Sequence, residues 1–252
     1  MTRHILGISG GKDSAALAIY MKGKVEGMEY FFTDTGHELP EVYEYLAKLE
    51  GFLGQEIVRL EAERDFDFYL KLYDNYLPSN RARWCTRMLK IKPFENWIGT
   101  DDTVSYVGIR ADEDRSGYVS TKDNIKPVFP FKEDGIVKAD VFRMLEDSGI
   151  GVPSYYEWRT RSGCYFCFFQ RKKEWLNLRE RHPKLYEKAK TFEKFDIDDE
   201  SGFTWIDGES LDDLEQPARM KQINERHEAA MASELKRNKN QTLADVFGDV
   251  LD

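Results

Sequence analysis

Six consecutive residues near the start of the chain, Ser9-Gly10-Gly11-Lys12-Asp13-Ser14, combine the groups needed to hold a row of phosphates. Two glycines let the backbone take dihedrals closed to other residues and approach a ligand closely. Successive amide N–H groups then form a nest for an anion. A helix beginning here adds free N–H groups and the positive end of its dipole. Lys12 supplies a full charge, and Ser9 and Ser14 supply hydroxyl donors. A bare Gly-Gly is satisfied by an ordinary tight turn. All six residues together, at the first strand-to-helix junction, point to phosphate binding. The pattern is not the Walker loop, G-x-x-x-x-G-K-[ST].

The second chemically distinctive group is the cysteines, Cys85, Cys164 and Cys167. An odd number does not suggest a disulfide framework. Cys164-Tyr165-Phe166-Cys167 has C-x-x-C spacing, which suits a metal pair, a redox pair or two small buried side chains. Basic residues cluster near these positions. Arg81 to Lys92 carries five basic residues and no acidic one, and basic residues dominate again between Arg159 and Lys184. Acidic residues take over from Glu193 to Glu215. The net charge of −9 argues against autonomous binding of duplex DNA, yet leaves room for a local basic site. Solvated helix faces account for such charge runs equally well.

The elements that must position these residues follow from periodicity. Short apolar runs at 4–9, 28–33, 56–60 and 104–109 read as strands. Helical patterns cover 14–22, a stretch from Pro40 carrying Val42, Tyr45, Leu46 and Leu49, 66–76, and 138–147 ended by Gly149. Strands alternating with helices imply an α/β fold with a doubly wound, mostly parallel sheet and ligands at the carboxyl ends of its strands. Residues 1–157 form the nucleotide-binding domain in this reading. Residues 158–252 form a cysteine-bearing basic segment, a turn-rich acidic excursion and a mostly helical, polar extension that serves as a docking tail or a frayed end. Hydrophobic residues make up 41%, enough for a packed core. No apolar run approaches the ~20 residues of a membrane helix. The N-terminal apolar run is too short for a signal peptide, so a cytoplasmic location and no membrane partner are expected.

The loop resembles the PP-loop of the ATP pyrophosphatase superfamily (adenine nucleotide α-hydrolase-like), whose motif is S-G-G-x-D-S. The resemblance implies ATP cleavage between the α- and β-phosphates, with Mg2+ neutralising phosphate charge. It implies catalytic roles for Lys12, Asp13 and Ser14: Lys12 and Ser14 bind pyrophosphate, and Asp13 positions Lys12 or a metal-bound water. Further segments narrow the match: Phe32-Thr33-Asp34-Thr35-Gly36 with Glu38-Leu39-Pro40, Arg83-Trp84-Cys85-Thr86, Leu89-Lys90-Ile91-Lys92-Pro93, Gly108-Ile109-Arg110-Ala111-Asp112-Glu113, and Pro127 to Phe131 before a helix. Their order is similar to the phosphoadenosine phosphosulfate reductase family over roughly residues 4–190. In that likeness Asp34, Thr35 and Gly36 meet the adenosine, and Gly108 and Arg110 the phosphates, Arg110 by a forked contact. Reductases of the family use a cysteine in a C-terminal Glu-Cys-Gly-type tail. This sequence has no cysteine after Cys167, which disfavours the usual thiol-dependent reduction.

Some relatives of that family hold a [4Fe–4S] cluster with a Cys-Cys pair and a later C-x-x-C. Cys85 falls at the first position of the pair and Thr86 replaces the second. The resemblance therefore implies three thiolates, Cys85, Cys164 and Cys167, and an open fourth site on the cluster, with Arg83, Arg87 and Arg161 offsetting its charge. Zinc with His182 as fourth ligand, or no metal, are the rivals. The set resembles the sulfur-incorporating ATP pyrophosphatases of Dnd- and Ssp-type DNA phosphorothioation. That likeness implies a cysteine desulfurase as sulfur donor, DNA as acceptor, and Trp84, Tyr165, Phe166 and Trp175 as base-stacking groups. It also implies a homo-oligomer or a multi-protein modification complex. A sulfonucleotide reductase or sulfotransferase variant, and a nucleotide-sensing module without turnover, are the alternatives.

Overall fold

The computed structural model describes residues 2–115, 120, 122–161, 163–193 and 203–239, with side chains through 233. Five parallel strands form one sheet: β1 (Arg3–Gly7), β2 (Met28–Asp34), β3 (Ile57–Glu61), β4 (Thr103–Tyr106) and β5 (Ile125–Val128). Their order is β3-β2-β1-β4-β5. Side chains alternate across it as a strand dictates. Leu6, Tyr30, Phe32 and Ile57 enter the larger core, while Ile5, Phe31, Leu60 and Ile125 enter a smaller one on the other face. Both faces are covered, as a parallel sheet requires, so the fold is the expected doubly wound α/β type.

Helices α1 (Lys12–Met21) and α2 (Pro40–Leu53) cover the first face. Alanines at 15, 16 and 18 are fully buried and let α1 lie close to its neighbours. Helix α3 (Phe66–Leu72) is shorter than periodicity suggests. Asp74 and Asn75 take positive φ of 51° and 62°, which ends it. The basic stretch at 81–92 proves helical: α4 (Trp84–Thr86) and α5 (Lys92–Ile98) join through a π-turn at Arg87–Ile91. Pro93 explains the widened turn, because it offers no N–H and its ring crowds the carbonyl four residues back. Phe94 and Ile98 then anchor the second core.

Strand β4 stops at Tyr106, short of the expected Ile109, because the Ile109 N–H turns back to the Val107 carbonyl at 2.9 Å. Strand β5 lies at the sheet edge, where Pro127 lacks a donor without breaking an interior ladder. Helices α6 (Pro130–Glu133) and α7 (Lys138–Asp147) follow, and α7 packs on α1 through Val141 and Leu145.

The C-terminal part is helical: α8 (Lys172–Arg181), α9 (Pro183–Lys190), α10 (Leu211–Leu214) and α11 (Pro217–Lys239). It shares the main core, contributing Trp158, Trp175, Phe192 and Trp205. Buried Glu174 pins the entry to α8, accepting from the Thr160 N–H (2.8 Å), the Thr160 hydroxyl (2.7 Å) and the Arg171 N–H (3.0 Å). Part of the acidic excursion, 194–202, and the last residues, 240–252, lie outside the described residues.

Candidate functional site

Strand order reverses between β1 and β4, which makes the gap beyond their carboxyl ends the place for a ligand. The Ser9–Ser14 loop leaves β1 at this gap. Gly10 sits at φ +73°, and an added Cβ there would lie 2.6 Å from Val42 Cγ1. Only glycine meets both conditions. The Ser9 N–H donates to Ser14 Oγ at 3.0 Å, and Ser14 Oγ donates to the Gly11 carbonyl at 3.1 Å, so the loop is braced by its own serines. Gly108, after β4, lies against it: a Cβ there would sit 3.0 Å from the Asp13 carbonyl oxygen.

Charge is concentrated at the start of α1. Asp13 bridges two cations, with Lys12 Nζ 2.6 Å from one oxygen and Arg110 Nη1 2.7 Å from the other. Arg110 also holds Asp112 at 2.9 Å and Glu113 at 2.6 Å. Its Nε and Nη1 are thus engaged with carboxylates beside the loop. Two tyrosines invisible to motif reading complete the frame. The Tyr155 hydroxyl donates to the Gly10 carbonyl at 3.1 Å, and the Tyr156 hydroxyl accepts from the Lys12 N–H at 3.4 Å.

A cleft of about 910 Å³ opens over these groups, a size that suits a nucleotide. Ser9, Gly11, Asp13, Ser14 and Gly108 form its floor. Arg83, Arg87 and Lys90 from the α4–α5 segment, together with Gly163, form a wall. From β2, Phe31 and Thr33 line the cleft. Asp34 instead accepts from the Gly36 N–H and the Tyr43 hydroxyl, each at 2.8 Å. Thr35 is buried, donates to Glu38 at 2.9 Å and lies 3.6 Å from Cys164 Sγ. The structure therefore brings Thr35 to the cysteines.

The three cysteines gather behind that wall. The Leu39 N–H donates to the Gly163 carbonyl (2.7 Å) and the Tyr165 N–H to the His37 carbonyl (3.0 Å), which bolts the C-x-x-C turn onto the loop after β2. Gly163 is required there, since a Cβ would meet Val42 Cγ2 at 2.5 Å and Glu38 Oε2 at 2.7 Å. Cys164 Sγ donates to Glu38 Oε1 at 3.2 Å. Burial, and then the Glu38 charge, push the Cys164 thiol well above the ordinary range. Cys85 is raised for the same first reason. Lys90 Nζ stands 3.6 Å from Glu38. Burial opposes its charge, but Cys164, Glu38, Cys167 and Cys85 outweigh that and hold its proton. Arg159 is 1% exposed, donates to the Cys164 carbonyl at 2.5 Å, and has no partner for Nε or Nη1.

These observations fit an anionic iron–sulfur group: three thiols, Lys90, and a buried guanidinium with two orphaned nitrogens. The cations facing the thiols are Lys90 and Arg159, whereas Arg83 and Arg161 flank the Phe169 ring. The zinc alternative loses its fourth ligand. His182 Nε2 hydrogen-bonds Glu41 at 2.8 Å and the ring packs on Trp158. Among the described residues no three His, Cys, Asp or Glu side chains converge to hold a single ion. The expected base-stacking aromatics are also corrected. Trp84, Tyr165, Phe166 and Trp175 are all buried in the core, where their large apolar area is worth most.

His37 seals the cysteine turn from behind, packed among Phe66, Tyr165 and Phe166, with Nδ1 3.1 Å from the Tyr165 hydroxyl. Burial, and then Lys188, lower its pKa from 6.5 to about 4. The unfolded chain therefore binds a proton that the folded one refuses. The stability His37 contributes is complete above pH 6.5 and lost as pH falls through 4. Between pH 7 and 4 the wild type should lose about 3 kcal/mol more than His37→Phe, measured by urea unfolding.

Residues 3–168 match the phosphoadenosine phosphosulfate reductase domain. The chain belongs to that family. Its relatives include two uncharacterized proteins of Methanocaldococcus jannaschii, 27% and 23% identical over 73% and 71% of this chain. The chain spans 40% and 45% of their lengths, less than half of each. An uncharacterized 37.8 kDa protein of Escherichia phage 186 is 24% identical over 77% of this chain and 75% of its own. Among solved structures, phosphoadenylyl-sulfate reductase from Candida auris, in its phosphate complex, has the same fold with a TM-score of 0.51 and 13% identity. That match covers 65% of this chain and 82% of the other. No helix among the described residues is long and apolar enough to cross a membrane.

Proposed function

We propose that this family member cleaves ATP between its α- and β-phosphates at the Ser9–Ser14 loop and uses the energy to replace an acceptor oxygen by sulfur, the acceptor being the DNA backbone. The carrying observation is the shared wall. Lys90 and Gly163 line the nucleotide cleft, while Lys90 also holds Glu38, the partner of Cys164, and Gly163 precedes Cys164. The cleft and the cysteines thus adjoin, which supports reading them as two halves of one site. An acceptor oxygen attacks the α-phosphorus, the bond to the bridging oxygen breaks, and Mg-pyrophosphate leaves. Lys12 and the N-terminus of α1 stabilise the charge growing on that leaving group. Asp13 holds Lys12 and Arg110 in place. Sulfur then attacks the activated acceptor phosphorus, and AMP leaves with the displaced oxygen. Cys85, Cys164 and Cys167 would hold a [4Fe–4S] cluster, which would supply sulfide-level sulfur once a cysteine desulfurase had delivered persulfide sulfur and a thiol reductant had provided the two electrons that reduce it. Lys90 and Arg159, beside the three thiols, would offset its negative charge.

Anaerobic reconstitution with iron and sulfide tests the cysteine half. The wild type should gain the broad visible absorbance of an iron–sulfur protein, and Cys164→Ser should lose most of it. Protein that takes up zinc and no iron would reject this reading. The family match favours one second reading, a sulfonucleotide reductase or sulfotransferase variant using a partner's thiol. Sulfite release from phosphoadenosine phosphosulfate with thioredoxin would identify it.

A further inference from the structure

A second cavity, about 930 Å³, lies on the far side of the segment that walls the nucleotide cleft. The two share a ridge built from residues 81–87, Arg161 and residues 163–171. Arg83 and Arg87 face the nucleotide cleft, and Arg81 faces the second cavity. Phe169 stands between, 37% exposed, with Arg83 Cζ 5.5 Å and Arg161 Cζ 5.9 Å from its ring centre. Its neighbour Phe168, tilted by 39° against it with ring centres 4.4 Å apart, lines the second cavity. Arg81, Arg83, Arg87 and Arg161 are exposed, and none forms an ion pair among the described residues. Other arginines are matched, Arg3 with Glu29, Arg110 with Asp13 and Arg219 with Glu209, while Arg59, Arg64, Arg171 and Arg226 also form no ion pair among the described residues. What distinguishes this strip is clustering: four exposed, unpaired arginines lie along it from one cavity lining to the other, and two of them, Arg83 and Arg161, stand against the exposed Phe169 ring.

We propose that this ridge is a track for single-stranded nucleic acid, deepening the functional reading above, on which the track's destination rests. The arginines hold successive phosphates, one base stacks on Phe169, and the strand passes from the second cavity into the cleft over Ser9–Ser14. Base stacking on an isolated aromatic requires an open base face, which a duplex hides. The chain's net charge of −9 confines the attraction to this strip.

Fluorescence anisotropy of the full chain with labelled single strands of about 20 nucleotides, a length spanning several such contacts, tests the track without turnover. DNA and RNA arms separate the two possible sources, and a duplex of the same sequence is the third arm. The single strand should bind more tightly than the duplex. Its log affinity should fall with log salt with a slope near −3, about −0.7 for each of four contacts. Phe169→Ala should weaken binding about 5- to 150-fold, Phe169→Trp should restore it, and Arg161→Ala should reduce the slope by about 0.7. Neither position lines the nucleotide cleft, so ATP binding should be unchanged in both. Equal affinity for duplex and single strand, no binding at low salt, or binding indifferent to both Phe169→Ala and Arg161→Glu would overturn the proposal. Loss of ATP cleavage with binding intact would count against the catalytic reading instead and leave the track standing.

Discussion

Lys12→Ala is expected to lower pyrophosphate release by at least about 10²-fold while leaving the fold in place. Removal of one well-placed donor to a developing anion costs a factor of that order. Lys12 is the loop's own cation, set beside Asp13, which lines the cleft. It is 9% exposed at the first turn of α1, and its ammonium is held 2.6 Å from Asp13. Asp13 in turn is fixed by Arg110 at 2.7 Å. The lysine is therefore preorganised before any phosphate arrives, and little reorganisation opposes its action. Lys12→Met, which keeps the stem and removes the charge, should be as inactive. A melting temperature within a few degrees of wild type would show that the loss is chemical. Undiminished pyrophosphate release from either variant would remove Lys12 from the mechanism.

Gly10→Ala should be the most destabilising small substitution in the loop. A left-handed backbone costs a non-glycine residue roughly 1–2 kcal/mol, and overpacking a tight contact adds about 1–3 kcal/mol. Both apply at φ +73° with Val42 Cγ1 2.6 Å from the new methyl. The melting temperature should fall by about 5–15 °C, and ATP binding should weaken with it. Val42→Ala removes the clash and leaves the backbone strain. The double variant should therefore melt higher than the sum of the two single losses allows. Strict additivity would show that the contact with Val42 is not what glycine avoids.

The Ser9–Ser14 loop was legible as a strand-to-helix junction because its six residues are contiguous and each has a short-range task. The parallel sheet was legible from the alternation of apolar runs. What escaped is what distant segments build together. Tyr155 and Tyr156 reach Gly10 and Lys12 across more than 140 residues, and no local pattern marks them. Arg159 reads as one more basic residue until the fold buries it beside Cys164. Thr35 sits in a motif that suggested adenosine, yet the turn at Gly36 leaves its hydroxyl on Glu38. The four aromatics first assigned to base stacking are buried, whereas Phe169, next to Phe168 in sequence, is the exposed ring between arginines. Residue type alone does not separate these cases; burial does. Strand β5 is only four residues and contains Pro127, too weak a signal to stand out.

The central claim is cleavage of ATP between the α- and β-phosphates at the Ser9–Ser14 loop, coupled to an acceptor and to sulfur. Anaerobically reconstituted wild-type protein, incubated with ATP, Mg2+ and a sulfide source, with and without single-stranded DNA, tests it most directly through the nucleotide products. AMP and pyrophosphate in equal amounts, formed faster with DNA, are the expected result. ADP and phosphate as products, or no cleavage with any nucleic acid under conditions where ATP binds, would contradict it.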